Sequence, residues 1–302
     1  MIFFTLLLLF LLAARIFGQE NQARKIFEQG WVSYRGSKTL HEREMIAMAI
    51  IKVNDPHKDW CGIEEVKNLF EKGQWNKLDR VITKKEMTRY LKYDPSLKDK
   101  MYILFNSPPR ERHTQFVVLR YPPGKADDMW MYSPALTGDR KIKLLSTALQ
   151  DDPFMGSTFD YENIRRLMGE MGQTADQFTF SLAKEEVIDG RPCYVIEVRP
   201  DQAKKPDTGY GLRKFYREKA RPVFIRVEYF NKNGRLIKIQ NNSAISYING
   251  LWRPALVEMY NANDETTTVL YWTDRKVGLD ENNEKEVPFG IFTTTYMERH
   301  GR

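Results

Sequence analysis

The sequence predicts a mainly β protein: one highly curved antiparallel sheet, or open barrel, of about ten or eleven strands with a few covering helices. Apolar and polar residues alternate with period two along much of the chain, which is typical of half-buried strands. Asp-Gly at 189–190 and Asn-Gly at 233–234 and 249–250 separate successive runs, and both positions of such turns accept positive φ. The strands that these turns join are therefore antiparallel neighbours.

The N-terminal third begins with a predicted helix over residues 22–29, for which Gly30 is a suitable C-cap. A long strand follows over residues 40–53. Residues 54–77 have the composition of an insertion, and their apolar spacing predicts a short helix on one side of the sheet, as part of a lid. We expect the next strands over residues 84–93, 100–105 and 115–121.

The C-terminal half is predicted to be a meander. Its strands are expected over residues 178–187, 192–199, 223–230, 235–247, 252–260 and 266–274. In the second and third of these, alternation places apolar residues on one face and charged residues on the other, so one face is apolar and the other wet. The apolar residues are our candidates for lining a ligand cavity, namely Tyr194, Ile196, Val198, Ile225, Val227 and Tyr229.

Alternation alone leaves two interpretations of that apolar face open. Small barrels are normally filled by their own side chains, which favours a closed core. An apolar trough for an acyl chain would show the same pattern. In residues 101–105 and 116–121 both faces are largely apolar, so we expect a further segment to cover the outer side there.

The N-terminus predicts export. Residues 2–14 form a continuous apolar run that is shorter than the ~20 residues a membrane-spanning helix needs. Gly18 is a plausible cleavage position, so residues 1–18 are expected to be a signal peptide and residues 19–302 one domain. Because no cysteine follows the run directly, we expect no lipid anchor.

No motif in the sequence predicts catalysis, a cofactor or a metal site. Residues 41–45 begin like the zinc motif H-E-x-x-H but have methionine where the second histidine must stand. There is no G-x-S-x-G elbow, and the glycines at 209 and 211 lack the third glycine of a dinucleotide fingerprint. The acidic pairs at 127–128 and 151–152 fit turn chemistry.

The charge pattern argues against nucleic-acid binding. The formal net charge is +7, but Lys and Arg alternate with Asp and Glu nearly everywhere and form no basic stripe. The chain has two cysteines, Cys61 and Cys193. They are compatible either with one disulfide or with a small buried residue at 193 and a separate cysteine in the insertion.

Residues 129–166 carry the most distinctive motif. A strand over 129–132 reads W-x-Y-x-P-A from residue 130, and a basic segment with a short strand over 140–145 follows. The motif then continues as F-M-G-S-x-F-x-Y-E, with a tight turn at Gly156 and Asp160 as a helix N-cap. This pattern resembles the outer membrane lipoprotein-sorting proteins, a family similar to the LolA and LolB periplasmic carriers. The matching residues are Trp130, Tyr132, Pro134, Ala135, Arg140, Lys141, Phe154, Met155, Gly156, Ser157, Phe159, Tyr161 and Glu162.

The resemblance implies an unclosed barrel with helices over its open side and an apolar interior. It implies a periplasmic carrier for the acyl chains of a lipoprotein or lipid, with an inner-membrane transporter and an outer-membrane acceptor as possible partners. On this hypothesis we expect a monomer, with Trp130 and Tyr132 near the rim of the cavity. The cover or hinge would comprise Phe154, Met155, Gly156, Ser157, Phe159 and Tyr161. The alternative is a filled, non-carrying periplasmic adaptor for a membrane transporter.

Overall fold

The structure is a computed structural model. It describes residues 20–36, 38–52, 68, 70, 81–94, 96, 99–121, 125–136, 141–146, 149–165, 176–204, 206, 208–279 and 286–301. The predicted signal peptide and Cys61 lie outside these residues, as does most of the predicted insertion over 54–77.

In the described part of the chain, thirteen strands form one antiparallel sheet in the order β6-β5-β4-β3-β2-β1-β13-β12-β11-β10-β9-β8-β7. The end strands β6 and β7 are not paired with each other, so the sheet is open, as predicted. The strands are β1 Leu40–Lys52, β2 Val81–Tyr93, β3 Lys100–Ser107, β4 Gln115–Leu119, β5 Asp128–Tyr132, β6 Ile142–Leu144, β7 Phe178–Ile188, β8 Arg191–Pro200, β9 Tyr210–Glu218, β10 Phe224–Asn231, β11 Leu236–Ile248, β12 Leu251–Asn261 and β13 Thr266–Leu279.

The count of thirteen exceeds the ten or eleven expected, and β9 was not predicted at all. This strand carries charged residues on the face that packs against the interior. Arg213, for example, is buried and paired with Glu162. An inward charge breaks the apolar alternation that identifies a strand, so the sequence pattern does not show β9.

Helix α1 covers residues 20–35 and is longer than predicted. Gly36, with φ +81°, ends it, and its N–H donates to the Val32 carbonyl at 2.8 Å. Gly30 lies inside the helix, where a Cβ would come within 2.7 Å of Phe224 Cζ. The predicted C-cap at Gly30 was therefore wrong, because this glycine permits close packing rather than a helix end.

Two shorter helices complete the described elements, α2 (Tyr161–Arg165) and α3 (Thr294–His300). A 3-10 turn, Phe154–Gly156, precedes α2. We define the inner face of the sheet as the face against which α1 packs. One apolar cluster, the interior cluster, unites this face with α1 and with residues 154–164.

The outer face has its own apolar clusters. The outer side of β3 and β4 is covered as expected, because Tyr102 and Val117 pack against Ile291 and Met297 of the C-terminal segment. From the insertion, the Phe70 ring stacks on Tyr271, which belongs to an outer cluster, so this side chain packs on the outer face.

The sheet also buries apolar residues on the outer side of β8 and β10, so the prediction of a uniformly wet outer face was wrong there. Cys193 and Val195 form a cluster with Ile225 on that side. A bulge places Ile225 there. Phe224 pairs with Arg217 and Arg226 with Tyr216, which leaves the residue between them unpaired. Cys193 is a buried free thiol whose Sγ lies 3.2 Å from the Arg191 carbonyl oxygen.

Candidate functional site in the interior of the open barrel

Four of the six predicted lining residues come together on the inner face. Ile196 and Val198 of β8 and Val227 and Tyr229 of β10 belong to the interior cluster, and none is more than 4% exposed. A fifth, Tyr194, is half-buried and packs against the same cluster. Their role in binding a ligand remains a prediction.

The sixth predicted lining residue, Ile225, does not join them. The bulge in β10 turns it to the outer face, and Phe224 takes the inward position instead. A strict alternation from residue 223 to 229 was therefore wrong, since one extra residue in a strand reverses the faces that precede it.

The two predicted rim residues also lie elsewhere. Trp130 and Tyr132 belong to the outer cluster that the C-terminal segment covers, and the Tyr132 hydroxyl donates to the Gly301 carbonyl. They are therefore not at the rim of the interior. Trp130 and Tyr132 share one face of β5, as their alternation predicts, but the sequence does not reveal which face is the inner one.

Helix α1 fills the part of the interior that lies over β7 to β10. Phe27 is fully buried, and its ring centroid lies 5.2 Å from that of Phe180, 4.9 Å from that of Phe215 and 5.3 Å from that of Phe224. Ala23, one turn earlier, is also fully buried. Residues four apart lie on one helix face, so α1 presents an apolar stripe to the sheet.

The cover segment, residues 154–161, fills the interior over β3 and β4. The fully buried Phe154 ring lies 6.0 Å from Phe105 and 5.0 Å from Phe116. Met155 and Gly156 have φ of 52° and 72°, which confirms the predicted tight turn at Gly156. Left-handed backbone is costly at a residue with a side chain, so the surrounding contacts must hold Met155 in place.

Polar contacts attach the cover segment to the sheet. The Thr158 N–H donates to Thr268 Oγ1 at 2.8 Å, and the Thr158 hydroxyl donates to the Met259 carbonyl at 2.6 Å. Asp160 accepts a hydrogen bond from the Asn163 N–H at 2.6 Å, which confirms it as the N-cap of α2. Its other oxygen lies 2.7 Å from Lys238 Nζ.

A pocket of about 620 Å³ opens beside the cover segment. Ile50 and Lys85 line it, and alternation places them on the same faces as Met48 and Met87 of the interior cluster. The pocket therefore lies at one end of the interior. Lys85 Nζ donates to Glu111 at 2.8 Å and to the Met155 carbonyl at 2.5 Å. The remaining lining residues are Ile82, Thr83, Arg110, Pro153, Gly156, Ser157, Asp264 and Thr266.

Buried ion pairs occupy the opposite end of the interior. Glu42 accepts from Arg253, and both side chains are fully buried. Glu44 lies 2.6 Å from Arg89 Nε and 2.7 Å from Arg275 Nε. Burial alone raises the pKa of Glu44, but these two guanidinium groups outweigh it and lower the pKa to about 2.

These carboxylates lie in the stretch that resembles the zinc motif, and their observed role is to pair with arginines. Across the described ranges, no three His, Cys, Asp or Glu side chains are grouped so that they could hold a metal ion. Of the helices in those ranges, none has the length and apolar character to cross a membrane.

The fold is LolA-like. A domain from Vibrio parahaemolyticus that is named for outer membrane lipoprotein sorting aligns with a TM-score of 0.70 and 21% identity, over 93% of this chain and all of that one. A DUF1329 family protein from Desulfovibrio piger aligns at 0.71 and 19% identity, over 92% and 99% of the two chains. A LolA superfamily protein from Nitrosomonas europaea aligns at 0.58 and 16%, over 91% and 98%.

Residues 97–299 match the model of a protein family described as "Uncharacterized protein", and the chain belongs to this family. No curated protein sequence matches the chain.

Proposed function

We propose that this protein is a non-catalytic periplasmic carrier that shields the acyl chains of a lipoprotein or lipid between the membranes of the cell envelope. The observation that supports it is how the interior is closed. The sheet leaves its inner face open, and two segments outside the sheet, α1 and the cover segment, bury that face. An apolar surface closed in this way can be exposed without breaking a strand pair.

The energetics fit a reversible carrier. Each CH₂ group removed from water contributes ~0.8 kcal/mol, so one acyl chain can bind without any charged anchor. In this structure, protein side chains occupy the interior, so an incoming chain must replace contacts that α1 or the cover segment already makes. The net affinity is the difference between the two, which favours release at an acceptor.

The remaining parts of the proposal follow from the sequence and from the named relatives. Residues 1–18 would direct export and then be removed, and the mature protein would act as a monomer without a lipid anchor. The Vibrio relative is named for outer membrane lipoprotein sorting, which supports a lipoprotein or lipid as the cargo. The proposed route runs from an inner-membrane transporter to an outer-membrane acceptor. Neither a cofactor nor nucleic acid enters the proposal.

One observation favours the second candidate, a periplasmic adaptor that carries nothing. The predicted lining residues are as buried as those of an ordinary core, with Ile196 fully inaccessible and Val198 and Val227 each 1% exposed. An adaptor needs no more than a stable filled domain. The two candidates differ in whether the interior ever exchanges its contents.

The test is to purify the mature protein from its native envelope, extract it with solvent and identify bound molecules by mass spectrometry. A carrier should yield stoichiometric lipid or acylated peptide, and should take up a fluorescent fatty acid after extraction. A protein that contains no lipid and also fails to take up the fatty acid would eliminate the carrier and leave the adaptor.

A further inference from the structure

We infer that the ligand is an acyl chain with an anionic head, that the chain replaces Phe27 of α1, and that the head pairs with Arg217 of β9. This inference rests on the proposed carrier function and specifies which part of the interior is used. It also requires residues 20–29 to leave the sheet when the ligand enters.

The slot that Phe27 fills is suited to an unbranched chain. Its walls are the rings of Phe180, Phe215 and Phe224, which come from β7, β9 and β10. Ile196 and Val198, between the first two of those strands, belong to the same cluster. A surface of rings and branched aliphatic side chains gains free energy from any apolar occupant, whether a phenylalanine or an acyl chain.

Arg217 lies at one end of this slot. It follows Phe215 by two residues on β9, which places both on the inner face, and it pairs directly with Phe224. The residue is 8% exposed, and its side chain forms no ion pair with any residue that the structure describes. Among the described residues, its side chain forms one hydrogen bond, from a terminal nitrogen to Gln29 Oε1 at 3.2 Å, and its Nε–H has no partner there.

A buried cation without a counter-ion is costly, and it is unusual for an arginine. Burial lowers the pKa of Arg217, in contrast to Arg213 and Arg253, whose carboxylate partners raise the pKa of each. The ring of Tyr194, 5.9 Å from the guanidinium carbon, offers partial compensation. A carboxylate or phosphate would supply the missing charge and accept from the free Nε–H.

The attachments of α1 show which half can leave. The C-terminal half is held by buried polar contacts: Arg35 to Asp99 at 2.5 Å, and Arg253 to the Tyr34 carbonyl. The N-terminal half has apolar contacts and a solvent-exposed ion pair between Arg24 and Asp176. Exposed pairs contribute little, so this half is held chiefly by the contacts that a ligand would replace.

Gly30 lies between these two halves. Its missing side chain is required because the Phe224 ring occupies that space. The same glycine weakens the helix at this point, since glycine gains more freedom than other residues when a helix opens. Release of residues 20–29 would free the slot of Phe27 and the Arg217 partner Gln29 together.

The test uses three 16-carbon probes in calorimetric titrations: hexadecanoate, 1-palmitoyl lysophosphatidate and hexadecan-1-ol. We expect the wild-type protein to bind at least one anionic probe about tenfold or more tightly than the alcohol, a difference typical of a charge-assisted contact. The stronger of the two anionic probes identifies a carboxylate or a phosphate head. Equal binding of all three would overturn the role of Arg217.

Two variants sharpen the test. Arg217→Met should abolish the preference for anionic probes and leave binding of the alcohol unchanged. The matched control is Arg221→Met, because Arg221 lies near the same strand end but is paired with Glu218. Phe27→Ala should bind all three probes more tightly, since the side chain that competes for the slot is gone. Unchanged affinities in this variant would overturn the slot.

Hydrogen exchange on the wild-type protein provides a measurement that needs no variant. Saturating ligand should reduce the protection of amides in residues 20–29 and leave residues 31–35 protected. Binding with residues 20–29 still protected would overturn the inference while the carrier function stood. Failure of all three probes to bind, in the wild type and in Phe27→Ala, would instead overturn the carrier function itself.

Discussion

The two ends of the interior are closed by different kinds of polar contact. At one end, Glu42 and Glu44 are fully buried and paired with arginines that are themselves buried. At the other, a single lysine, Lys85, joins the cover segment to Glu111 beside a pocket of about 620 Å³. We call the end with the Glu42 and Glu44 ion pairs the sealed end, and the end with Lys85 the pocket end. A charge at the sealed end cannot be hydrated when its partner is lost, whereas water reaches the pocket end. Movement of the cover segment should therefore begin at the pocket end.

The largest effect is expected at the sealed end. Glu42→Ala would leave the fully buried Arg253 without its carboxylate, which costs about 3–5 kcal/mol of unfolding free energy. Urea denaturation measures this loss. The double variant Glu42→Leu with Arg253→Met should recover much of it, because no unpaired charge remains. A single variant that loses less than about 1 kcal/mol would show that the ion pairs do not seal this end.

Acid should weaken the same end. The pKa of Glu44 is lowered from 4.5 to about 2, so the folded state holds this proton less tightly than the unfolded state. Its contribution, roughly 3 kcal/mol, is present above pH 4.5 and is lost as the pH falls towards 2. Denaturation at a series of pH values should show this loss in the wild type and a smaller one in Glu44→Gln.

A smaller effect is expected at the pocket end. Lys85→Met removes the contacts to Glu111 and the Met155 carbonyl, but the Glu111 side chain is 26% exposed and can be hydrated. We expect a loss of about 1.5–2 kcal/mol in unfolding free energy, at the lower end of the range for hydrogen bonds to charged groups. Amides near Met155 should exchange faster. A loss as large as that of Glu42→Ala would abolish the contrast between the two ends.

The smallest predicted effect is a gain in unfolding free energy rather than a loss. Burial, followed by the nearby Glu162 and Asp160, raises the pKa of Asp151, which precedes the cover segment. The charged form therefore opposes folding at neutral pH, and protonation favours folding as the pH falls through the raised pKa towards 3.8. Asp151→Asn should be slightly more stable than wild type at pH 7, and this gain should shrink at acidic pH. A destabilised variant at pH 7 would contradict the raised pKa.

Local signals in the sequence were sufficient for much of this architecture. The predicted turn dipeptides at 189–190 and 249–250 have positive φ at both positions, and they join antiparallel strands. Asp160 caps α2 as its position predicts. These features depend on backbone preferences of one or two residues, so neighbours far along the chain cannot overrule them easily.

The candidate site was predicted only in part, because its members are defined by contacts between distant segments. Tyr194, Ile196, Val198, Val227 and Tyr229 share the inner face or pack against it, as their alternation predicts. Arg217 was not predicted, because it lies on β9, where charged inward residues break the apolar alternation that identifies a strand. The two-residue spacing from Phe215 would place Arg217 on the inner face once the strand is known. That Arg217 is buried and lacks a counter-ion among the described residues is visible only in the structure.

The sequence by itself determined that this chain forms an open antiparallel sheet with an apolar face, because side-chain alternation and turn chemistry act locally. The tertiary structure decided which face is the interior and what fills it. Long-range packing determines the bulge at Ile225, the continuation of α1 through Gly30 and the covered positions of Trp130 and Tyr132. Such packing is a property of the assembled surfaces, and no single stretch of sequence encodes it.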